Sequence, residues 1–364
     1  MISLTDRLLD LTCAIQQIPA PTFHEQARAE FVRDQFLAHS LSDVEIDDLG
    51  NVYARKPGGV APPVLVTAHT DTVFPVDTPL ALTRTPDRII GPGIGDNSLG
   101  VAALFGILWA LEGESLPGDI YLAANVGEEG LGDLRGMRRV IERVGERVRA
   151  TLVIEGIALG HIHHSAIGVR RYRFTARAEG GHSWLHFGRP SAIHALVRLG
   201  ARLTDLVVPQ SPKTTFNIGT IGGGTSINTI AREAWLDLDL RSEGPALLHS
   251  LAARVEELAA SFHGNGIVME SRIIGDRPPG AIPREHPLVQ LAVRSLEEAG
   301  ITSYSFENAS TDANIPLSLG RPCVCLGLAY GGNAHRPDEY METRDLEKGL
   351  RSLVNVVRGA LAMA

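Results

Sequence analysis

The chain has few cysteines, no excess of positive charge and no long apolar run. Its three cysteines, Cys13, Cys323 and Cys325, have neither disulfide-framework nor zinc-knuckle spacing. Cys323 and Cys325 alternate along one apolar segment and read as two positions on the same face of a strand. A formal net charge of −8 argues against a nucleic-acid-binding surface. No apolar run approaches ~18 residues, so no membrane span is expected. The first turns of the chain are amphipathic and carry Asp6, Arg7 and Asp10, where a signal peptide would have an uncharged stretch. Internal repeats and low-complexity tracts are absent. These exclusions leave a soluble protein of a reducing, cytoplasmic compartment. A length of 364 residues, with 44% hydrophobic and 21% charged, suits one large globular domain or two smaller ones.

Four short apolar runs each lead to a residue with coordinating chemistry. Val64 to Ala68 ends at His69, and Ile120 to Val126 ends just before Glu128 and Glu129. Thr151 to Ile154 ends at Glu155, and Pro322 to Leu328 precedes a Gly-rich loop reaching His335. Such runs read as strands buried on both faces. Helical patterns lie between them, at Leu99 to Leu111 and Leu134 to Val144, so the expected fold class is α/β, a mostly parallel sheet sandwiched by helices. Ligands bind beyond the carboxyl ends of strands in such sheets, so residues scattered in sequence would converge there. The middle of the chain reads differently. Strand patterns at Val169 to Glu179, Thr214 to Ile221, Glu233 to Arg241 and Ile267 to Ile274 enclose helical patterns at Pro190 to Leu206 and Pro245 to Phe262. This β-α-β-β-α-β order predicts an inserted ferredoxin-like α+β domain over 167–275, splitting the larger domain into 1–166 and 276–364. The Pro/Gly-rich stretch Gly275 to Pro283 is the expected exit hinge.

Two adjacent carboxylates, Glu128-Glu129, sit in a Gly-bounded turn at a strand end. Like charges side by side are costly unless a positive group holds them or one takes a proton. An arbitrary Glu pair belongs on a solvated surface, and the strand end with its flanking glycines argues for more. His69-Thr70-Asp71 puts an imidazole and a carboxylate on the same side of an extended chain, with Asp71 placed to fix the imidazole of a metal-bound His69. Gly91 to Asn97 invites a phosphate-loop reading, yet it lacks GxxxxGK[ST] and has no Lys near the helix start. Its glycines instead permit a backbone path that aims Asp96 into a crowded site. His69, Asp96, Glu129, Glu155 and His335 supply two imidazoles and three carboxylates. With Asp96 shared between two cations, each has three protein ligands and an open position. That mixture suits Zn²⁺, with Mn²⁺ or Co²⁺ as alternatives. Glu128 is then free to move protons. His161, His163 and His164 read as a loop at the domain boundary, not a third metal site.

These segments together resemble the co-catalytic zinc exopeptidases and deacylases, a family that includes peptidase T, glutamate carboxypeptidase, aminoacylase, acetylornithine deacetylase and succinyl-diaminopimelate desuccinylase. The resemblance runs from about Pro19 to the C-terminus. It rests on Ala68-His69-Thr70-Asp71-Thr72-Val73, Gly95-Asp96-Asn97, Gly127-Glu128-Glu129-Gly130, Glu155 and His335, in that order. It implies that His69, Asp96 and Glu155 hold one metal, that Asp96, Glu129 and His335 hold the other, and that Glu128 is the general acid/base with Asp71 behind His69. The inserted domain resembles the family's lid and dimerisation domain, which implies a homodimer. Gly181-His182-Ser183 matches a segment whose His reaches the partner's site and stabilises the oxyanion. Asn228 and Arg241 match positions that bind a substrate carboxylate, and Asp312 and Asn314 lie in a segment resembling the loop at the substrate end of the site. At position 155, peptidase-like members tend to have Asp and deacylase-like members Glu. The segments around His69 and Asp312 look peptidase-like, so the two pointers conflict.

The expected function is a metal-dependent amide-bond hydrolase acting through a metal-activated water and a Glu base. The substrate would be a short peptide with a free carboxylate or, alternatively, an N-acyl amino acid. A non-catalytic binding protein that kept the fold would have lost a ligand or the base, and every such position is filled. A nucleotide-binding enzyme built on Gly91 to Gly95 would lack its phosphate-binding Lys.

Overall fold

In a computed structural model, which describes residues 3–363, the chain divides into two units, 1–166 with 280–364 and 167–279. The larger unit is built on a nine-stranded sheet. Its centre is parallel: Gly118–Asn125, Ala61–His69, Ala150–Ile154 and Cys323–Leu326 lie side by side in that order. Antiparallel strands extend it at both sides, Val52–Lys56 and Ser42–Ile46 beyond Gly118–Asn125, and His161–Ala166 beyond Cys323–Leu326. The fold is therefore mixed α/β with a mainly parallel central sheet, as the apolar runs predicted.

Side chains alternate faces along a strand, yet every residue from Val64 to His69 and from Ala150 to Ile154 is buried. Both faces of the central strands are therefore covered. The helices Leu4–Gln16, Gly100–Ala110, Arg135–Val144, Pro287–Glu298 and Leu346–Ala362 contribute to the same core. Gly100–Ala110 has apolar residues all round and is buried almost throughout, as its composition requires. Arg135–Val144 is one-sided: Met137, Val140, Ile141 and Val144 are buried, while its arginines are partly exposed and ion-paired. None of the described helices is long and apolar enough to cross a membrane.

A four-stranded antiparallel sheet in the same unit runs Gly331–Gly332, Tyr340–Glu342, Arg88–Ile90, Thr83–Arg84. Pairing of Tyr340 with Ile90 brings the His335 loop beside the Gly-rich turn that follows Ile90. These strands are too short to show periodicity, which is why the sequence did not reveal them.

The smaller unit carries a four-stranded antiparallel sheet in the order Thr214–Gly223, Glu233–Ser242, Gly168–Arg177, Val268–Arg277, with Ala192–Thr204 and Pro245–Ala260 packed on it. Its period-2 pattern is real: Leu236, Leu238 and Leu240 are buried, and Trp235, Asp237 and Asp239 face the other side. There Arg171 pairs with Asp239 at 2.8 Å and Arg173 with Asp237 at 2.7 Å. Two expectations are corrected. His161, His163 and His164 lie on a strand of the large sheet, not in a loop, because Cys323–Leu326 and Ser305–Ala309 pair with that segment. Gly275 to Arg277 continue a strand of the small sheet, leaving Pro278 and Pro279 between it and Gly280–Ala281.

Candidate metal centre

The strand Ala61–His69 ends by delivering a buried imidazole. His69 Nδ1 lies 3.1 Å from the carbonyl oxygen of Asp71 and 3.5 Å from its carboxylate, which leaves Nε2 for the site. The peptide between them is fixed from behind by Arg28, which the sequence did not mark. Its guanidinium is buried and donates to Thr70 O at 2.8 Å and to Ile18 O at 2.6 Å. Burial lowers its pKa to about 10, with Asp71 opposing the shift.

Asp71 does more than back His69. Its Oδ1 accepts the backbone N–H of Glu128 at 3.0 Å, its Oδ2 accepts that of Glu129 at 2.9 Å, and Thr22 Oγ1 donates to Oδ2 at 2.9 Å. The Glu pair that follows Gly118–Asn125 is thereby held to the end of the neighbouring strand. Gly127, at φ 68°, makes the turn that an L side chain rarely adopts.

Asp96 lies in a kinked turn, Ile94–Leu99, ahead of the helix Gly100–Ala110. Glu339, four residues after His335 and missed in the sequence, holds this turn. Its Oε1 accepts the N–H of Gly95 at 2.7 Å and of Asp96 at 2.8 Å. The N–H groups that a phosphate loop would offer are thus taken by an internal carboxylate. Burial, reinforced by Asp96, pushes Glu339 up to about 7. Asn97 performs a parallel task for Glu155: its Nδ2 donates to Ile154 O at 2.8 Å and its Oδ1 accepts from Gly156 N–H at 2.9 Å, bracketing that residue.

Around Asp96 the expected ligands converge. Asp96 Oδ1 lies 3.1 Å from His69 Nε2, and its Oδ2 lies 3.2 Å from His335 Nε2. Glu155 Oε2 is 3.6 Å from His69 Nε2, and Glu129 Oε1 is 3.1 Å from His335 Nε2. The donor atoms of His69, Asp96 and Glu155 lie within 4.8 Å of one another, as do those of Asp96, Glu129 and His335. Among the described residues, the ion-pair partners of these three carboxylates are the two imidazoles, with no Arg or Lys among them. The donor set fits divalent cations that prefer nitrogen and carboxylate oxygen.

Without cations the imidazoles take up protons. Burial alone would lower His69, but Glu155, Asp71 and Asp96 outweigh it and raise it well above 6.5. Hydrogen bonds with Asp96 and Glu129 raise His335 to about 10. Burial raises Glu155 to about 7 against the pull of His69. Burial would raise Asp96 too, yet bonds from His335 and His69 hold it below the usual carboxylate range.

Glu128 is buried beside Glu129. Asp312 and Asn314 are buried with internal partners: Asn125 Nδ2 donates to Asp312 at 2.7 Å, and Asn314 Oδ1 accepts from Thr311 N–H at 2.9 Å. In the smaller unit, pairing of Gly181–His182 with Thr229–Ile230 brings His182 beside Asn228, whose carbonyl accepts the N–H of Ser183 at 3.0 Å. Arg241 lies on the outer face of its strand and donates to Asp239 at 2.7 Å.

Comparison with known proteins bears on these features together. The model of peptidase family M20/M25/M40 matches residues 65–359. A probable carboxypeptidase of Aspergillus flavus is 30% identical, covering 76% of this chain and 73% of its own. An acetylornithine deacetylase of Klebsiella pneumoniae is 27% identical, covering 81% and 79%. A tripeptidase structure from Staphylococcus aureus superposes with a TM-score of 0.82 at 22% identity over the full length of both chains.

Proposed function

Since the chain belongs to peptidase family M20/M25/M40 and is a hydrolase of that family, we propose that it hydrolyses amide bonds at a centre of two divalent metal ions, Zn²⁺ in the first instance, with Mn²⁺ or Co²⁺ as alternatives. The observation that carries this reading is the position of Asp96, whose two oxygens face two imidazoles, each with a second carboxylate beside it. His69, Asp96 and Glu155 would hold one ion, and Asp96, Glu129 and His335 the other. Bound there, the ions would supply positive charge that acidifies a water and polarises a carbonyl.

The rest of the chemistry falls to the chain's own groups. The Glu128 carboxylate takes the proton from the attacking water and returns it to the leaving nitrogen. Asp71 orients His69 and, by accepting the N–H of Glu128, sets where that carboxylate points. Asn228 and Arg241 orient a substrate carboxylate, for which Arg241 would exchange its Asp239 partner. His182 donates to the developing oxyanion. Asp312 and Asn314 support the loop at the substrate end.

The substrate in this reading is a short peptide with a free carboxylate. The N-acyl amino acid is the second reading, favoured by Glu155 and by likeness to the acetylornithine deacetylase. We also infer a homodimer through the smaller unit, where Thr214–Gly223 has an open sheet edge and exposes Ile221. A cytoplasmic location suits its three free, buried cysteines. A panel of dipeptides, tripeptides and N-acetyl or N-succinyl amino acids, assayed with each metal, tests the reading. Turnover of peptides alone supports the exopeptidase, turnover of acyl amino acids alone supports the deacylase, and turnover of neither sinks both.

A further inference from the structure

The smaller unit contains a cavity of about 730 Å³ that the hydrolytic reading leaves unused. It lies where Ser183 to Arg198 faces the turn Ser261 to Ile267. Arg189, His194, Arg198 and His263 line it, and among the described residues no Asp or Glu does. In a chain with a net charge of −8, a cavity lined by two guanidinium groups and two imidazoles without a carboxylate stands apart. Arg198 forms no ion pair among the described residues, and Arg189 pairs at 2.7 Å with Glu179, an exposed residue whose charge is screened by solvent.

Two further features point to an anion. The helix Ala192–Thr204 begins at this cavity with Ser191 in the N-cap position, and no side chain caps it. Of its first-turn N–H groups, that of Ala192 donates to Ala231 O at 3.0 Å, which leaves those of Ile193 and His194, and the helix dipole favours negative charge. Independently, Ser191 is only 8% exposed, lines the cavity and makes no side-chain hydrogen bond among the described residues. A hydroxyl on so little exposed a residue, facing the cavity beside the N–H groups of Ile193 and His194, is suited to receive an anionic oxygen. Phe262 and Ile267, both half-buried, supply apolar wall on the other side, and the exposed Phe187 stands at the rim. The volume is that of a small-molecule site, in which a few polar groups orient an apolar body.

We infer that this cavity binds a small organic acid, with its carboxylate at Ser191 and Arg198 and its apolar body against Phe262 and Ile267. The inference concerns the smaller unit alone and stands whether or not the metal centre hydrolyses amides.

The test is calorimetric titration of the full-length, metal-loaded protein with 3-phenylpropionate, which has no amide to cleave. Phenyl phosphate, inorganic phosphate and 3-phenylpropan-1-ol serve as comparisons. The expected result is one 3-phenylpropionate per chain, bound at least tenfold more tightly than the alcohol. Arg198→Ala and Ser191→Ala should each weaken it tenfold or more at an unchanged melting temperature, and Arg198→Lys should weaken it less than Arg198→Ala. Unaltered binding in both alanine variants would put the acid elsewhere, including at the metal centre, and overturn the inference. Equal binding of the alcohol would remove the anionic contact. Tighter binding of either phosphate compound would overturn the assignment to a carboxylate.

Discussion

Asp71 Oδ2 accepts the backbone N–H of Glu129 at 2.9 Å. With Oδ1 on the N–H of Glu128 at 3.0 Å, this one carboxylate joins the end of the His69 strand to the turn carrying the acidic pair. Asp71→Asn would turn an NH₂ toward at least one of these donors. Leaving a buried donor unsatisfied costs about 1–3 kcal/mol, and losing support behind a ligand typically costs about 10–100-fold in metal affinity. Asp71→Asn should therefore melt below the parent in the metal-free form and hold metal more weakly in competition with a chelating dye. Parent-like behaviour in both measurements would remove Asp71 from this role.

In the proposed mechanism Glu128 and Glu129 share a turn but not a task. Glu128→Gln should retain the parent's metal content while turnover falls by about 10²–10⁴-fold, the range attributed to a positioned acid/base group. Glu129→Gln should lose metal. Substantial turnover by Glu128→Gln, measured with metal content verified by elemental analysis, would show that another group moves the proton.

Metal uptake should release protons. His69 is raised well above 6.5 and His335 to about 10, so both are protonated at pH 7 when no cation is present. Cations bind the neutral rings. Titration at pH 7 in two buffers of different ionisation enthalpy should show at least two protons released per chain, with Glu155, raised to about 7, adding to the two imidazoles. Uptake without proton release would contradict the assignment of both imidazoles as ligands. The same shifts govern the metal-free protein. The folded form holds these protons more tightly than the unfolded chain, so the His335 contribution is fully present below pH 6.5 and is lost as pH rises through about 10, and His69 acts in the same direction.

Glu339 fixes the peptide that presents Asp96, so its loss should disturb both halves of the centre. Glu339→Ala should weaken both metals. Glu339→Gln keeps an acceptor oxygen for the Gly95 and Asp96 N–H groups and should stay near the parent. His335→Ala should weaken one metal alone. If Glu339→Ala matched the parent in affinity for both ions, the carboxylate would be incidental to the site.

Much of this was legible in sequence because the physics was local. Val64 to Ala68 and Thr151 to Ile154 are unbroken apolar runs, and a run buried on both faces of a parallel sheet leaves that mark. His69 and Glu155 follow directly at the strand ends. The alternation of Leu236, Leu238 and Leu240 with Trp235, Asp237 and Asp239 likewise announced a sheet with only one face in the core. Other features depend on long-range contacts. Gly331–Gly332 becomes a strand by meeting Tyr340–Glu342, and the three-residue Arg88–Ile90 by meeting it and Thr83–Arg84, so neither has a period to read. Arg28 looks like a surface residue on a helix until Ile18 and Thr70 supply its acceptors. Glu339 lies near His335 in sequence, but its task is at Asp96, more than two hundred residues away.

The central claim is that Asp96 joins two metal sites, and metal content per chain after loading and gel filtration tests it most directly. The parent should retain two Zn²⁺ or Mn²⁺ ions per chain, and Asp96→Ala should retain neither while still folding. A parent that retains fewer than two, or an Asp96→Ala variant that still holds both, would contradict the account.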